Sequence, residues 1–240
     1  MRVRLPLGRT LFFVAAFFVA LLALLPMRLG IDWLGISNRG LAAREVEGSI
    51  WFGAFKEAQF GSVGLGDLHA ALRGLPLLIG RARVALDRDG GTPDDDFDGA
   101  ATVTRRGFGL DDLDGRLQLS GAFGALPLTQ LDLGDVTAHF ENGQCVRAAG
   151  TVRAAVAGDI GGIALPGGLT GTARCDSGAL LLPLASQSGM ESLDLRIFGD
   201  GRYQGQVLVR STDATVRDRF TGAGFAVTPA GYALTVSGQL

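Results

Sequence analysis

This chain of 240 residues contains two histidines, His69 and His139, either of which could act as a general base. Nucleophilic catalysis needs such a base held beside an activated serine, threonine or cysteine. Neither histidine lies in a recognisable motif, because the sequence contains no Gly-x-Ser-x-Gly and no His-Glu-x-x-His. We therefore interpret both histidines as structural and predict that the protein is not an enzyme.

Acidic residues offer the next candidate for chemistry. The segment 94–99 reads Asp-Asp-Asp-Phe-Asp-Gly, which matches the first half of a calcium-binding loop. The match fails at position 12 of the loop, where Arg105 stands in place of the bidentate glutamate. We interpret this segment as a solvated acidic loop and the neighbouring carboxylates Asp111 and Asp112 as a solvated pair. The sequence predicts no metal site and no cofactor.

The elements that carry these residues alternate apolar and polar side chains. This period of two is typical of strands with one buried and one solvated face. The clearest runs are residues 113–119, 193–197, 203–209 and 232–236, and the turn sequences at 141–143 and 199–201 lie between such runs. The 37 glycines argue against long helices. We predict a mainly β fold of antiparallel, curved sheet, with one short helix near residues 213–220.

Two segments interrupt the strand pattern. Residues 87–99 and the glycine cluster 158–168 are predicted loops, and each is a candidate boundary within the domain. An internal echo relates Leu113-Asp-Gly115 to Leu169-Thr-Gly171, since a Leu-Pro-Leu follows each after thirteen residues. The offset of 56 residues suggests a duplicated strand-turn-strand unit. Whether the strands form one sheet or two stays open.

The N-terminal segment has a different composition. Residues 10–27 are uncharged and would extend about 27 Å as a helix, enough for a bilayer core. Arg2, Arg4 and Arg9 precede this run without any acidic residue, which favours a cytoplasmic N-terminus. We expect residues 1–30 to form a cytoplasmic tip and transmembrane anchor, and residues 31–240 an exported β-rich domain. A cleaved signal peptide is the alternative, although residues 25–33 offer no small-x-small cleavage site.

Charge and cysteine content fit an exported domain. Four of the 22 basic residues lie in residues 1–30, so the rest of the chain carries 18 basic and 24 acidic side chains, a net charge of −6. A domain of that sign has no general attraction to nucleic acid or anionic lipid. Both cysteines, Cys145 and Cys175, lie in this domain. Disulfides persist outside the cytoplasm and no Cys-x-x-Cys or zinc pattern is present, which favours a structural disulfide.

Five stretches of the sequence carry a family resemblance. They are the single apolar N-terminal segment, the sequence Val-Glu-Gly-Ser-Ile-Trp-Phe-Gly at 46–53, Leu-Gly-Asp-Val at 133–136 leading to Cys145, the cysteine-containing block 168–191, and Gly-Phe-x(5)-Gly-Tyr at 224–232. Together they resemble protein N of the bacterial type II secretion pathway. The cysteine-containing block is the most specific of these stretches. The turn at 48–53 is shared with the broader AsmA-like group, whose curved sheets form an apolar groove.

This resemblance implies a non-enzymatic inner-membrane component of the machinery that exports folded proteins across the outer membrane, with residues 31–240 as its periplasmic β-rich domain. Its partners would be other inner-membrane secretion subunits, and the bilayer itself through the N-terminal helix. The alternative is an AsmA-like protein that binds or transfers lipid in a groove. Trp51 and Phe52, placed between glycines, are a candidate contact surface, and the competing interpretation packs them in the core. The family transfers no catalytic residue.

Overall fold

Antiparallel strands make up most of the computed structural model, which describes residues 7–27, 29, 41–61, 63–77, 80–88, 90–91, 95–119, 121, 123–124, 126, 128–156, 159–160, 163–164, 168–211 and 217–240. The strands are β1 (Leu41–Ala42), β2 (Glu45–Ser49), β3 (Phe52–Phe60), β4 (Val63–Arg73), β5 (Ala82–Arg88), β6 (Phe97–Val103), β7 (Gly107–Gln118), β8 (Leu128–Glu141), β9 (Gln144–Val156), β10 (Asp159–Ile160), β11 (Ile163–Ala164), β12 (Leu169–Thr172), β13 (Arg174–Asp176), β14 (Ala179–Ala185), β15 (Glu191–Ile197), β16 (Arg202–Val209), β17 (Ala226–Thr228) and β18 (Gly231–Gln239). The helices are α1 (Leu7–Ala23), α2 (Gly74–Leu77) and α3 (Arg217–Gly222).

The described strands form one continuous sheet of 16 strands and a separate hairpin of β10 with β11. Neighbours in the sheet follow nearly the order of the chain, from β1 and β3 through β9 and β12 to β18 and β17. Because the pairs are antiparallel and most are joined by a short connection, the fold is a long meander. The structure thus confirms a mainly β antiparallel fold, and all of its described strands except the β10–β11 hairpin belong to one sheet.

The sheet curls, since residues far apart in strand order meet. A Cβ atom placed on Gly61, in the β3–β4 turn, would lie 3.0 Å from the carbonyl carbon of Leu240 at the other end of the sheet. Alternation sets the inner face: in β16 the side chains of Tyr203, Val207 and Val209 are buried. Phe220 of α3 is fully buried against the ring of Tyr232. The core is therefore one apolar cluster spread along the inner face of the sheet.

Several predictions from the sequence are confirmed. The four alternating runs coincide with β7, β15, β16 and β18, and turns separate β8 from β9 and β15 from β16. Asn142 and Gly143 have φ angles of 51° and 81°, as the tightest hairpin turns require. The predicted short helix is α3, which begins at Arg217, and Asp213 lies outside the described residues. Both halves of the echo, in β7 and β12, are strands, and the duplication itself stays a prediction.

The two predicted loops are longer than the loops in the structure, because strands extend into both segments. Strand pairing extends into the segment 87–99, where Asp87 lies opposite Asp98 and Leu86 opposite Gly99. Gly99 has a φ of 152° at a register shift between β6 and β7, so this glycine belongs to a β-bulge within the sheet. Within 158–168, residues 159–160 and 163–164 form the β10–β11 hairpin. Pairing is continuous across both segments, from β5 to β6 and from β9 to β12, and the domain boundaries remain predictions.

The N-terminal helix differs from the expected anchor. It covers Leu7–Ala23, so it begins before Thr10 and ends four residues before Met27. Pro26 explains the early end, because proline disfavours helical geometry in the preceding residue and has no N–H to donate. Among the described residues, no helix combines the length and the hydrophobicity that a membrane crossing requires. Arg2, Arg4 and Arg28 lie outside the described residues.

Candidate functional site

The β2–β3 turn contains both residues of the predicted contact surface. The side chain of Phe52 is 80% exposed. Trp51 is half-buried, and its ring lies 3.5 Å from where a Cβ atom on Gly74 would stand. The chain can turn so tightly here because Gly48 adopts a φ of +82°, which side chains with a Cβ atom rarely adopt. The structure therefore separates the pair: Trp51 packs against the neighbouring connection, and Phe52 projects into solvent.

The segment that follows α1 is joined to the same turn. The amide of Ile50 donates a hydrogen bond of 3.1 Å to the carbonyl of Leu25, and Pro26 forms an isolated bridge with Ser49. Met27 is buried, with its sulfur in contact with Gly53, where any side chain would overlap it. These contacts fix the end of α1 against one end of the sheet.

Cys145 and Cys175 form a disulfide bond between β9 and β13, as the sequence predicts. Their Cα atoms are 5.5 Å apart, within the usual range for disulfides. The amide of Cys145 also donates to the carbonyl of Gly178 in the turn after β13, at 2.8 Å. The bond thus ties two neighbouring strands of the sheet, close to a turn. Among the described residues no cysteine is free.

A polar cluster crosses β5 to β8 and involves one of the two histidines. His139 Nε2 lies 2.7 Å from Asp111 Oδ1, and the hydroxyl of Thr102 donates to Asp111 Oδ2 at 2.7 Å. Arg83 lies 3.9 Å from the same carboxylate. Burial by itself would raise the pKa of Asp111, but the hydrogen bonds from Thr102 and His139 outweigh it and lower that pKa below its usual value. The cluster stabilises the ionised carboxylate across four strands.

This cluster does not have the geometry of a catalytic triad. The Thr102 hydroxyl donates to the aspartate and so is not held by His139 as a nucleophile. The ring of His139 lies over Gly109, where a Cβ atom would stand 2.8 Å from the ring. Sequence reasoning missed this cluster and took Asp111 and Asp112 for a solvated pair. The side chain of Asp111 is only 16% exposed, and Asp112 pairs with Thr137 across a register shift that no local pattern indicates.

The remaining candidates from the sequence do not come together. His69 is exposed on β4, and Asp98 lies in β6. Asp96 accepts a hydrogen bond of 3.1 Å from the amide of Gly90, and Asp94 lies outside the described residues. Within the described part of the chain, no three His, Cys, Asp or Glu side chains are grouped so that they would hold a metal ion.

The connection between β7 and β8 packs onto the inner face of strands far away in the sheet. Leu119, Phe123 and Leu126 in this connection are buried. The ring of Phe123 makes an edge contact with Tyr203 at 5.1 Å, and a Cβ atom on Gly205 would lie 2.7 Å from Leu126. The protein's own side chains therefore occupy this part of the inner face, the surface that the lipid-groove alternative assigns to a ligand.

The fold and these sites define a class of protein: a curled antiparallel sheet with a structural disulfide, preceded by an apolar helix whose end is fixed to one turn. A family model described as type II secretion system (T2SS), protein N, matches residues 39–222. The chain therefore belongs to the protein N family of the type II secretion system, which confirms the resemblance seen in the sequence. No curated protein and no solved structure matches the chain.

Proposed function

We propose that this protein is a non-enzymatic component of the type II secretion machinery, attached to the inner membrane by its N-terminal segment, with the sheet in the periplasm. Membership of the protein N family carries this proposal. In that position the sheet takes part, by surface contact with other inner-membrane subunits, in the export of folded proteins across the outer membrane.

The exposure of α1 supports its attachment to the membrane. Its described large apolar side chains, among them Leu11, Phe12 and Phe17, are between 46% and 73% exposed. Large apolar side chains left in water along a whole helix are unfavourable, and a lipid environment removes that cost. The basic residues before the helix favour a cytoplasmic N-terminus, which puts the sheet on the periplasmic side.

Deletion of the gene tests the role in secretion. We expect less of the exported enzymes in the culture supernatant and more of them in the periplasm, with recovery when the intact gene is supplied. Unchanged export of every substrate would refute the proposal.

Membrane attachment has a separate test. We expect the full chain to stay with the membrane pellet after a carbonate wash, with its N-terminal residues present in the mass spectrum. Release into the supernatant, or loss of residues 1–30, would refute the anchor and favour the signal-peptide alternative.

A further inference from the structure

The connections at one end of strands β3 to β7 combine exposed apolar side chains with arginines. We call this surface the basic rim and define it by the apolar residues Phe52, Leu75, Leu77, Val103 and Phe108 and by the arginines Arg73, Arg81, Arg105 and Arg106. All nine side chains are exposed, and those of Phe52 and Leu75 are more than three-quarters exposed, at 80% and 82%. We propose that the basic rim seats the sheet on the anionic phospholipid surface of the membrane that holds α1.

Strand pairing brings these connections to one end of the sheet. The amide of Leu72 donates a hydrogen bond of 3.2 Å to the carbonyl oxygen of Ile50, which places the end of β4 beside the β2–β3 turn. Ala82 at the start of β5 lies opposite Val103 at the end of β6, and Val103 lies opposite Phe108 in β7. With about 4.8 Å between neighbouring strands, the rim extends roughly 20 Å along the sheet.

The end of α1 is fixed at this same end of the sheet. The hydrogen bond from Ile50 to Leu25 and the bridge from Pro26 to Ser49 hold the chain after α1 against the turn that carries Phe52. If α1 lies in the bilayer, its C-terminal end reaches the interface there. The exposed apolar residues of the rim then lie at the level of the lipid headgroups, so this step rests on the proposed membrane attachment.

The charges of the sheet are distributed to match an anionic surface. No acidic residue occurs in segments 73–81 and 104–107, which contain the four rim arginines. At the opposite end of β5 and β6, the connecting segment 89–96 contains four aspartates. Two exposed acidic residues, Glu47 in β2 and Glu141 opposite Gly107, lie at the rim end as well, but the four arginines outnumber them. This end is therefore basic, although the domain as a whole has a net charge of −6. Arginines beside apolar side chains suit the bilayer interface, where the apolar groups enter and the guanidinium groups meet phosphates.

Photochemical crosslinking of the full chain tests this seat. In the test variant, the photoreactive residue benzoylphenylalanine replaces Leu75. In two control variants it replaces another exposed apolar residue, either Phe60 at the far end of β3 or Val227 of β17. Each variant is reconstituted in vesicles of phosphatidylethanolamine with phosphatidylglycerol. We expect a several-fold higher yield of lipid adduct at position 75 than at positions 60 and 227. Equal yields at the three positions would overturn the proposal.

Substitution of the arginines tests the contribution of charge. Arg73→Gln and Arg81→Gln, each combined with the crosslinker at position 75, should lower the ratio of seated to unseated sheet about five-fold per arginine. Vesicles of phosphatidylcholine alone should lower this ratio for the unsubstituted rim by more than either single substitution does, because none of the four arginines then meets an anionic lipid. An adduct yield that is independent of both changes would overturn the electrostatic part of the proposal. A disulfide that still forms shows that the variants fold.

Two further outcomes separate this inference from the proposed function. A chain that survives the carbonate wash but gives no lipid adduct at position 75 refutes the seat and leaves the anchor intact. A chain that is released by carbonate yet crosslinks to lipid at position 75 supports the seat and refutes the anchor. In intact cells, a protein adduct at position 75 in place of lipid would show that the rim binds another subunit and would overturn the proposal.

Discussion

Removal of the disulfide should destabilise the protein by a predictable amount. Cys145 and Cys175 are 30 residues apart, and closing a loop of that length in the unfolded chain corresponds to about 3.6 kcal/mol in the chain-entropy model. Cys145 is also buried in the core cluster, so its replacement by alanine removes a packed sulfur atom in addition. We expect the double variant Cys145→Ala/Cys175→Ala to lose about 3 to 4 kcal/mol in the free energy of unfolding.

Urea denaturation of the full chain in a mild detergent measures this loss. With a slope of about 3 kcal/mol per molar urea, the unfolding midpoint should fall by about 1.2 M. Reductant should lower the midpoint of the unsubstituted protein and leave the double variant unchanged. The neighbouring Val146→Ala is the matched control, since Val146 is exposed and its truncation should change stability by at most about 0.5 kcal/mol. A double variant that unfolds at the same urea concentration as the parent would refute the reasoning.

Two other substitutions test the sheet and its polar cluster. Because hydrogen bonds lower the pKa of Asp111 in the folded protein, its carboxylate stabilises the fold above pH 3.8, and this contribution is lost as the pH falls below that value. The melting temperature of Asp111→Asn should therefore be lower than that of the parent near neutral pH and fall less on acidification; parallel curves would contradict this. Gly171→Ala should cost at least about 2 kcal/mol, because its methyl group would overlap the carbonyl oxygen of Pro183 in β14. Gly222→Ala, with no atom within 4 Å of the new methyl group, is its control, and equal denaturation midpoints for the two variants would argue against this packing.

The sequence predicted strands best where apolar and polar side chains alternate along the whole strand. The runs in β16 and β18 were predicted to within a few residues, because one face of each strand is buried and the other is solvated along its length. The segment 87–99 was predicted as a loop because of its acidic and glycine residues, yet its ends pair across β5 and β6. Contacts with distant strands help to hold this segment in the sheet. The guanidinium of Arg88, for example, donates hydrogen bonds to the carbonyl oxygens of Leu65 in β4 and Arg116 in β7, which are 23 and 28 residues away in sequence.

The candidate sites were predictable to different degrees. The pairing of Cys145 with Cys175 required only the number of cysteines and their exported context. The contact of Asp111 with His139 required the register between β7 and β8, which shifts between Leu110 and Leu113. A shift of this kind exchanges the faces on which side chains lie, and composition does not reveal it.

The sequence by itself determined the antiparallel β fold, the hairpin turns and the disulfide, because these follow from side chains and backbone preferences within a few residues. The separate composition of the N-terminal segment was equally visible. The tertiary structure alone decided that 16 of the described strands form one curled sheet and that the β7–β8 connection packs onto β16. It also placed four arginines and the end of α1 at the same end of the sheet. These features depend on strand pairing between distant parts of the chain, and a net charge averaged over the domain cannot reveal them.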